Sequence, residues 1–316
     1  MPDGQPATTH ELHRPAGSLS RPPWSLEVTP AQAGWSWSSL RVLTLAPGGS
    51  HAFETGDEEV LVLPLAGSCV VSCAGVDHAL EGRTGVFDGP TDFSYVPPGS
   101  AVQVSSRAGG RFAVPGARAR SQLPFRHQPA AQVPVEVRGA GNCSRGIVNY
   151  CMPATFEAER LMSCEVVTPA GNWSSYPPHK HDEENADETQ LEEIYYFEMA
   201  RGPEGEDGFA FQRVYGTGER PIDVLAEVRQ GDVVLIPHGY HGPSMAAPGY
   251  DLYYLNVMAG PGERAWLATD DPAHAWVRAT WPGQPVDPRL DRSGPPGQDH
   301  RDPRSDGGGG VPRGAP

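Results

Sequence analysis

Two histidines separated by one residue, His179 and His181, are the side chains of this chain that point most directly to chemistry. Side chains at i and i+2 of an extended strand lie on the same face, so both imidazoles can bind one metal ion. Lys180 between them is the only lysine among the 24 Lys and Arg residues. In a regular strand, Lys180 would point away from that metal.

The second half of the chain offers further ligands. Glu193 opens an apolar run, and His241 follows a tight turn after the apolar residues 233–236. Glu192 qualifies equally by its chemistry. Each residue alone also fits a surface pair, an edge charge or a turn, but their combination predicts a site of three imidazoles and one carboxylate. Such a site suits one divalent ion, Zn, Mn, Fe or Ni, which acts as a Lewis acid when positions stay open.

The elements that must position these ligands are predicted to be strands. The chain has 316 residues with 38 Gly and 34 Pro, and short apolar runs recur between them. This pattern is typical of an all-β sandwich or barrel. The two halves also echo each other, since residues 58–60 resemble 192–194, which indicates a duplicated barrel. In the first half, His51 and Glu59 have no paired imidazole, so we expect no metal there.

These observations predict four segments. They are a disordered N-terminus (1–24), a degenerate, metal-free domain (25–135), a metal-binding catalytic domain (136–285) and a disordered C-terminal tail (286–316).

Charge and cysteine content limit the possible partners and compartment. A net charge of −15 argues against a nucleic-acid partner, and no stretch has the length of a membrane span. No signal peptide is visible either. The five cysteines are odd in number and scattered, so we interpret them as reduced thiols of a cytoplasmic protein: Cys69, Cys73, Cys143, Cys151 and Cys164.

The order of the ligands resembles the cupin barrel, whose first motif is His-x-His followed by Glu and whose second is Gly, five residues, Pro, x, Gly and then His. Gly231, Pro237, Gly239 and His241 follow the second motif, with one residue fewer between the last two. The acidic insertion 182–190 lengthens the first. We expect this insertion to be a solvated loop rather than a mobile lid. The resemblance favours Glu193 over Glu192, because the family glutamate directly precedes the apolar strand.

Longer segments are similar to the 5-deoxy-glucuronate isomerase family of myo-inositol catabolism, a family of bicupin sugar-acid isomerases. They are residues 82–90, 139–145, 174–182, 191–197, 211–215, 231–241 and 247–260. The resemblance covers nearly all of residues 25–270. It implies two tandem cupin barrels (double-stranded β-helix, jelly-roll), a divalent metal, and conversion of 5-deoxy-D-glucuronate to 5-dehydro-2-deoxy-D-gluconate.

A sugar-acid substrate needs a cation for its carboxylate and polar groups for its hydroxyls. Arg213 and Arg145 are the candidates for the carboxylate, because a guanidinium binds it through two hydrogen bonds. Tyr176, Tyr254 and Asn256 are candidates for the hydroxyls. Most arginines of such a chain are surface residues and most strand tyrosines are core residues, so these assignments are hypotheses.

The catalytic group stays open. Lys180, Tyr195 and Tyr254 are candidates for moving a proton between the two carbons, whereas a metal-assisted hydride shift would need no base. Alternative functions are a related uronate ketol-isomerase, a non-catalytic sugar-binding cupin and an iron dioxygenase. The small-molecule substrate is the expected partner, together with further copies of the chain in a homo-oligomer.

Overall fold

The structure is a computed structural model and describes residues 7–290. Strands, in three sheets, dominate the described residues. The first elements are β1 (Ala7–Thr8), α1 (Thr9–Leu12) and β2 (His13–Arg14).

The N-terminal barrel follows and consists of one nine-stranded sheet, sheet I. The long strand β6 pairs with β8 and β10 through its first residues and with β7 and β9 through its last, so it runs through both walls of the barrel. The elements of the N-terminal barrel are β3 (Trp24–Val28), α2 (Pro30–Ala33), β4 (Ser38–Leu45), β5 (Ser50–Glu54), β6 (Glu58–Cys73), β7 (Val76–Arg83), β8 (Phe93–Val96), β9 (Ala101–Ser105), β10 (Gly110–Arg118) and β11 (Arg126–Gln128).

The C-terminal barrel contains the other two sheets. Sheet II has the order β1-β19-β18-β21-β16-β23, with β15 also on β21, and sheet III has the order β12-β13-β14-β22-β17-β20-β2. Its own strands are β12 (Val135–Arg138), β13 (Arg145–Cys151), β14 (Met162–Thr168), β15 (Trp173–Ser174), β16 (His179–Lys180), β17 (Glu192–Met199), β18 (Ala210–Tyr215), β19 (Ile222–Val228), β20 (Val233–Ile236), β21 (Tyr240–Ala246), β22 (Leu252–Ala259) and β23 (Thr269–Asp270).

The N-terminal segment belongs to the C-terminal barrel. β1 pairs in parallel with β19, and β2 pairs antiparallel with β20. Leu12 is buried, and the His13 Nε2 lies 2.8 Å from the Asp232 Oδ2. The predicted disorder of residues 1–24 is therefore wrong for 7–24, because the composition of the segment does not reveal partners more than 200 residues away. Residues 1–6 lie outside the described residues.

Two glutamates, Glu59, which is buried, and Glu192, which is half-buried, join the barrels in a reciprocal way. The Glu59 carboxylate accepts the backbone N–H groups of residues 159–161 at 2.9, 2.6 and 2.7 Å. In return, Glu192 accepts the N–H groups of residues 36–38 at 2.8, 2.8 and 3.1 Å. Because backbone donors hold both carboxylates, the two barrels are tied at two equivalent points.

The strand register shows which residues of the two halves correspond. Val60 pairs with Val96, the residue before Pro97, whereas Glu193 pairs with Ile236, the residue before Pro237. Val60 therefore occupies the position of Glu193. Val60 belongs to a buried apolar cluster of the N-terminal barrel that also contains Val62, Val71, Val104 and Phe112. The N-terminal barrel thus has a valine at the position of the Glu193 carboxylate.

The described chain ends in a segment that packs on the C-terminal barrel. The Asp287 carboxylate accepts from the Asn172 side chain at 2.9 Å, and its N–H donates to the Ser144 Oγ at 3.0 Å. The predicted tail is thus ordered at 286–290, and residues 291–316 lie outside the described residues. The 3-10 helices are Val86–Asp88, Ala130–Gln132, Gly141–Cys143, Ala275–Thr280 and Pro288–Leu290.

Three smaller predictions can be compared with the structure. No helix of residues 7–290 is long and apolar enough to cross a membrane. All five cysteines are free and buried, as predicted for reduced thiols. The boundary predicted between residues 135 and 136 falls inside β12, which starts at Val135 and pairs with β13 of the C-terminal barrel.

Candidate metal centre and active site

Sheet II brings three histidines together. His179 in β16 and His241 in β21 are direct cross-strand partners, and His181 follows β16. The ring centroid of His241 lies 4.4 Å from that of His179 and 4.6 Å from that of His181. One ring nitrogen of each residue lies within 4.8 Å of the others. The alternation of side chains along an extended chain therefore places His179 and His181 on one face, as predicted, and β21 adds the third imidazole.

The turn before His241 depends on a glycine. Gly239 has a φ of +92°, and a Cβ built there would lie 2.7 Å from the Tyr215 carbonyl oxygen. Only glycine adopts this conformation without strain or collision. The turn 237–239 thus fixes where β21 begins and where His241 points.

Sheet III supplies the carboxylate from the opposite wall. The Glu193 Oε2 lies 3.1 Å from the Nε2 of His181 and 3.1 Å from the Nε2 of His241. Burial alone would raise the pKa of Glu193, but the charge of His241 and the hydrogen bond from His181 lower it to about 2. Glu193 is therefore an ionised acceptor among the imidazoles, whereas Glu192 points to the other barrel.

The four side chains fit a divalent metal ion. The His241 Nε2 is buried, and although the Glu193 Oε2 lies 3.1 Å away, the two atoms are not aligned for a hydrogen bond. Buried ring nitrogens normally have such a partner. Burial, with His241 and His181 close by, holds the pKa of His179 well below its usual range, so its imidazole is neutral and able to bind a metal. Three imidazole nitrogens and one carboxylate oxygen are a donor set for Zn, Mn, Fe or Ni. A histidine triad able to hold a metal is thus present, as predicted.

A cavity opens beside His179 and Glu193 between the strands of sheet III. Arg145 lines it and is 4% exposed. Its guanidinium donates to the carbonyl oxygens of Cys143 and Tyr176 at 3.0 and 3.3 Å, and no carboxylate of the described residues pairs with it. Burial lowers the pKa of Arg145 to about 10. A buried cation without an anion therefore faces the candidate site.

Three hydroxyl groups meet in the same cavity. The Ser175 Oγ lies 2.9 Å from the Tyr195 hydroxyl and 3.3 Å from the Tyr254 hydroxyl, and the two rings stack at 4.9 Å. Burial raises the pKa of both tyrosines, so both stay protonated near neutral pH. Asn256 also lines the cavity, and its side-chain nitrogen has no partner. The cavity thus offers hydrogen-bond donors close to the metal ligands.

Two predicted substrate residues do not enter this cavity. Arg213 lies on the outer face of β18, where it pairs with Asp223 and donates to the Val224 carbonyl at 2.8 Å. Arg213 therefore lies outside this cavity, and its substrate contact stays a prediction. The Tyr176 ring packs against Trp173 at 5.5 Å, away from the cavity lining. Tyr176 instead contributes its carbonyl oxygen, which holds Arg145.

Lys180 also points away from the histidines on either side of it. Its Nζ is buried among carboxylates of the acidic insertion, at 3.0 Å from the Asp182 Oδ1 and 2.8 Å from the Glu188 Oε2. The insertion is exposed at 183–187 but buried at Asp182 and Glu188. The geometry gives Lys180 no contact with the cavity, which argues against a direct catalytic role.

Sequence reasoning missed several lining residues. Arg138 lies at the end of β12 and stacks over the Trp266 ring at 5.3 Å, and both line the cavity with Asn149 and Ser175. Arg138 directly precedes residues 139–145, one of the segments similar to the isomerase family. Its position next to that segment is the signal in the sequence that could have identified Arg138. Nothing in the sequence marks Trp266, which comes to the cavity from the chain that follows β22.

Comparison with known proteins gives a consistent family assignment. Residues 12–277 match the KduI/IolB family. A protein of Geobacillus kaustophilus named 5-deoxy-glucuronate isomerase is 43% identical over 255 residues, which cover 80% of this chain and 90% of that protein. A protein of the same name from Bacillus subtilis is 38% identical over 258 residues, or 79% and 91% of the two chains.

Solved structures give the same assignment at the level of the fold. The crystal structure of an IolB-like protein from Salmonella typhimurium superposes with a TM-score of 0.78 at 34% identity, covering 84% of this chain and 99% of that one. An oxalate decarboxylase from Lactobacillus farciminis superposes with a TM-score of 0.58 at 12% identity over 82% and 88% of the two chains, which shows the fold alone. The predicted all-β architecture of two tandem cupin barrels is thus confirmed.

Proposed function

The chain belongs to the KduI/IolB family, and on that premise we propose that it is an aldose–ketose isomerase converting 5-deoxy-D-glucuronate to 5-dehydro-2-deoxy-D-gluconate in myo-inositol degradation. The observation that carries the proposal is the position of the four candidate metal ligands. Two of them, His179 and Glu193, line a cavity that also contains a buried arginine, Arg145, without an anionic partner among the described residues. This arrangement matches a substrate that has a carbonyl with a neighbouring hydroxyl at one end and a carboxylate at the other.

His179, His181, His241 and Glu193 would hold one divalent metal ion. When bound, such an ion polarises a carbonyl and an adjacent hydroxyl, which is the Lewis-acid chemistry that an aldose–ketose shift needs. The protein contributes the rigidity of the site, because the ligands come from facing strands of one barrel. Preorganised ligands of this kind need no rearrangement when charge develops on the substrate.

Arg145 is the residue to which we assign the substrate carboxylate. Its guanidinium has no anionic partner among the described residues, and burial makes its charge costly. A carboxylate entering the cavity would relieve that cost through charge-assisted hydrogen bonds. The unpartnered nitrogen of Asn256 would donate to a hydroxyl of the same substrate.

The Tyr195, Ser175 and Tyr254 hydroxyls form the hydrogen-bond chain to which we assign proton movement. Both phenols are protonated because burial raises their pKa, so they donate hydrogen bonds to substrate oxygens instead of acting as bases. The Ser175 Oγ connects them and can pass a proton from one hydroxyl to the other. Such a relay would carry the proton of the substrate hydroxyl to the carbonyl oxygen, whereas the hydrogen on carbon exchanges with solvent only if a base removes it as a proton and not if it moves as a hydride.

The test is an assay of purified protein with 5-deoxy-D-glucuronate, following formation of the keto acid. Treatment with a chelator is expected to abolish turnover, and one of Zn, Mn, Fe or Ni is expected to restore it. The Glu193→Gln variant should lose both metal and activity, whereas Glu183→Gln on the exposed part of the insertion should keep both. No turnover with any of the four metals would overturn the proposal.

The same assay separates the alternatives. Turnover of a pectin-derived uronate but not of 5-deoxy-D-glucuronate would indicate the related uronate ketol-isomerase. Binding of the sugar acid without turnover would indicate a non-catalytic cupin, and consumption of oxygen would indicate a dioxygenase. The cytoplasmic location and the homo-oligomer stay predictions, to be measured by fractionation and by light scattering.

A further inference from the structure

The lysine between the two ligand histidines forms the centre of a buried charge cluster. The Lys180 Nζ lies 3.0 Å from the Asp182 Oδ1 and 2.9 and 2.8 Å from the two carboxylate oxygens of Glu188. Glu183 lies farther away, at 3.4 Å, and is mostly exposed. One small cation therefore holds two buried carboxylates of the acidic insertion, and its three N–H groups have one acceptor each.

Asp182 also contacts the turn that precedes His241. Its second oxygen, Oδ2, accepts the backbone N–H of Gly239 at 2.8 Å and a hydrogen bond from Arg220 at 2.9 Å. Asp182 directly follows His181, and Gly239 stands two residues before His241. One carboxylate thus links the backbone that carries His181 to the turn that carries His241.

Hydrogen bonds connect the end of the acidic insertion to its start. The Glu188 Oε1 accepts the N–H groups of Asp182 and Glu183 at 2.6 and 3.0 Å. The Leu191 N–H donates to the His181 carbonyl at 2.8 Å, just before β17 brings in Glu193. The insertion is therefore folded back on its own start, which sets the spacing between His181 and Glu193.

From these contacts we propose that Lys180 is a positioning residue: together with Asp182 and Glu188 it holds the segments of His181, His241 and Glu193 in the geometry that binds the metal. The inference rests on the proposed metal site and adds a role for the insertion, which acts as a clamp. It also accounts for the single lysine, because one ammonium nitrogen reaches three carboxylate oxygens at 2.8–3.0 Å. A planar guanidinium spreads its donors over a wider fork and does not fit the same cage.

The test measures metal affinity directly, without substrate. Wild type and the Lys180→Met, Lys180→Arg and Asp182→Asn variants compete with a chromophoric chelator for Zn²⁺, and Co²⁺ loading is followed by visible absorption. The three variants are expected to bind Zn²⁺ about 10- to 100-fold more weakly, as for other residues that orient metal ligands. Their Co²⁺ spectrum should also change. Glu183→Gln, which removes a charge from the exposed part of the same loop, is the matched control and should stay within about twofold of wild type.

The outcomes separate this inference from the proposed function. If Lys180→Met does not fold, Lys180→Arg and Asp182→Asn decide, since they keep the charge or the shape of the residue replaced. Folded variants with wild-type Zn²⁺ affinity and an unchanged Co²⁺ spectrum would overturn the positioning role while leaving the metal site intact. A wild-type protein that binds neither ion would instead overturn the metal site itself.

Discussion

Replacing Arg145 by methionine separates the cost of burying a cation from the benefit of binding an anion. Burial lowers the pKa of Arg145 from 12.5 to about 10, which corresponds to roughly 3 kcal/mol against the folded, charged state. The variant also loses the two hydrogen bonds to carbonyl oxygens, which contribute about 1 kcal/mol each. The variant should therefore be as stable as wild type or more stable by about 1 kcal/mol, although a buried residue has been removed.

The same variant should lose activity. If the guanidinium binds the substrate carboxylate, its removal costs about 3–4 kcal/mol, or 100- to 1000-fold in kcat/KM. Arg83→Met is the matched comparison, since Arg83 is equally buried but pairs with Glu165. It should lower the free energy of unfolding by about 3–5 kcal/mol because the partner charge is left alone.

Urea unfolding and initial rates with 5-deoxy-D-glucuronate measure both quantities. Wild-type kcat/KM in Arg145→Met would refute the substrate assignment. A loss of stability as large as that of Arg83→Met would refute the reasoning about the unpaired charge.

Four further outcomes are expected. Glu59→Gln should lower the free energy of unfolding in urea by about 3 kcal/mol, because three backbone donors lose their charged acceptor, whereas the exposed Glu54→Gln should change it by less than about 0.5 kcal/mol. The folded-state pKa of Glu193, about 2, lies below its ordinary value of 4.5, so its stabilising contribution is complete above pH 4.5 and is lost as the pH falls toward 2; metal-free Glu193→Gln should thus lose less stability than wild type between pH 5 and pH 3. The product formed in D₂O and then returned to H₂O should keep carbon-bound deuterium by mass spectrometry, and the absence of that deuterium would favour a hydride shift. Native protein should resist iodoacetamide at pH 8 and react only in urea, because burial raises the pKa of three thiols to about 12: Cys69, Cys151 and Cys164.

The cluster of candidate metal ligands was predictable because these residues follow a local rule and a fixed order. Alternation along an extended chain places His179 and His181 together and turns Lys180 away, and both results appear in the structure. Which of the two candidate arginines lines the cavity was not predictable in this way. Arg213 lies in β18, where Ala, Gln and Val face one side and Phe, Arg and Tyr the other. Neither set is clearly apolar, so the sequence does not say which face is buried.

The correspondence predicted between the two halves of the chain is wrong by one residue. The echo between residues 58–60 and 192–194 suggested that Glu59 corresponds to Glu193, but the strand register shows that it corresponds to Glu192. A slip of one residue exchanges the two faces of a strand. Both Glu59 and Glu192 then bind the opposite barrel, which only the assembled structure reveals.

The pairing of residues 7–14 with the C-terminal barrel bears on aggregation. β1 covers the outer side of β19, and β2 covers the outer side of β20. Without them, each sheet would end in a longer strand with free backbone donors and acceptors, which is a template for pairing with another molecule. β1 and β2 have two residues each, and His13 and Arg14 carry polar side chains. A chain shortened to begin at residue 15 should keep its metal ligands but precipitate more readily at high concentration.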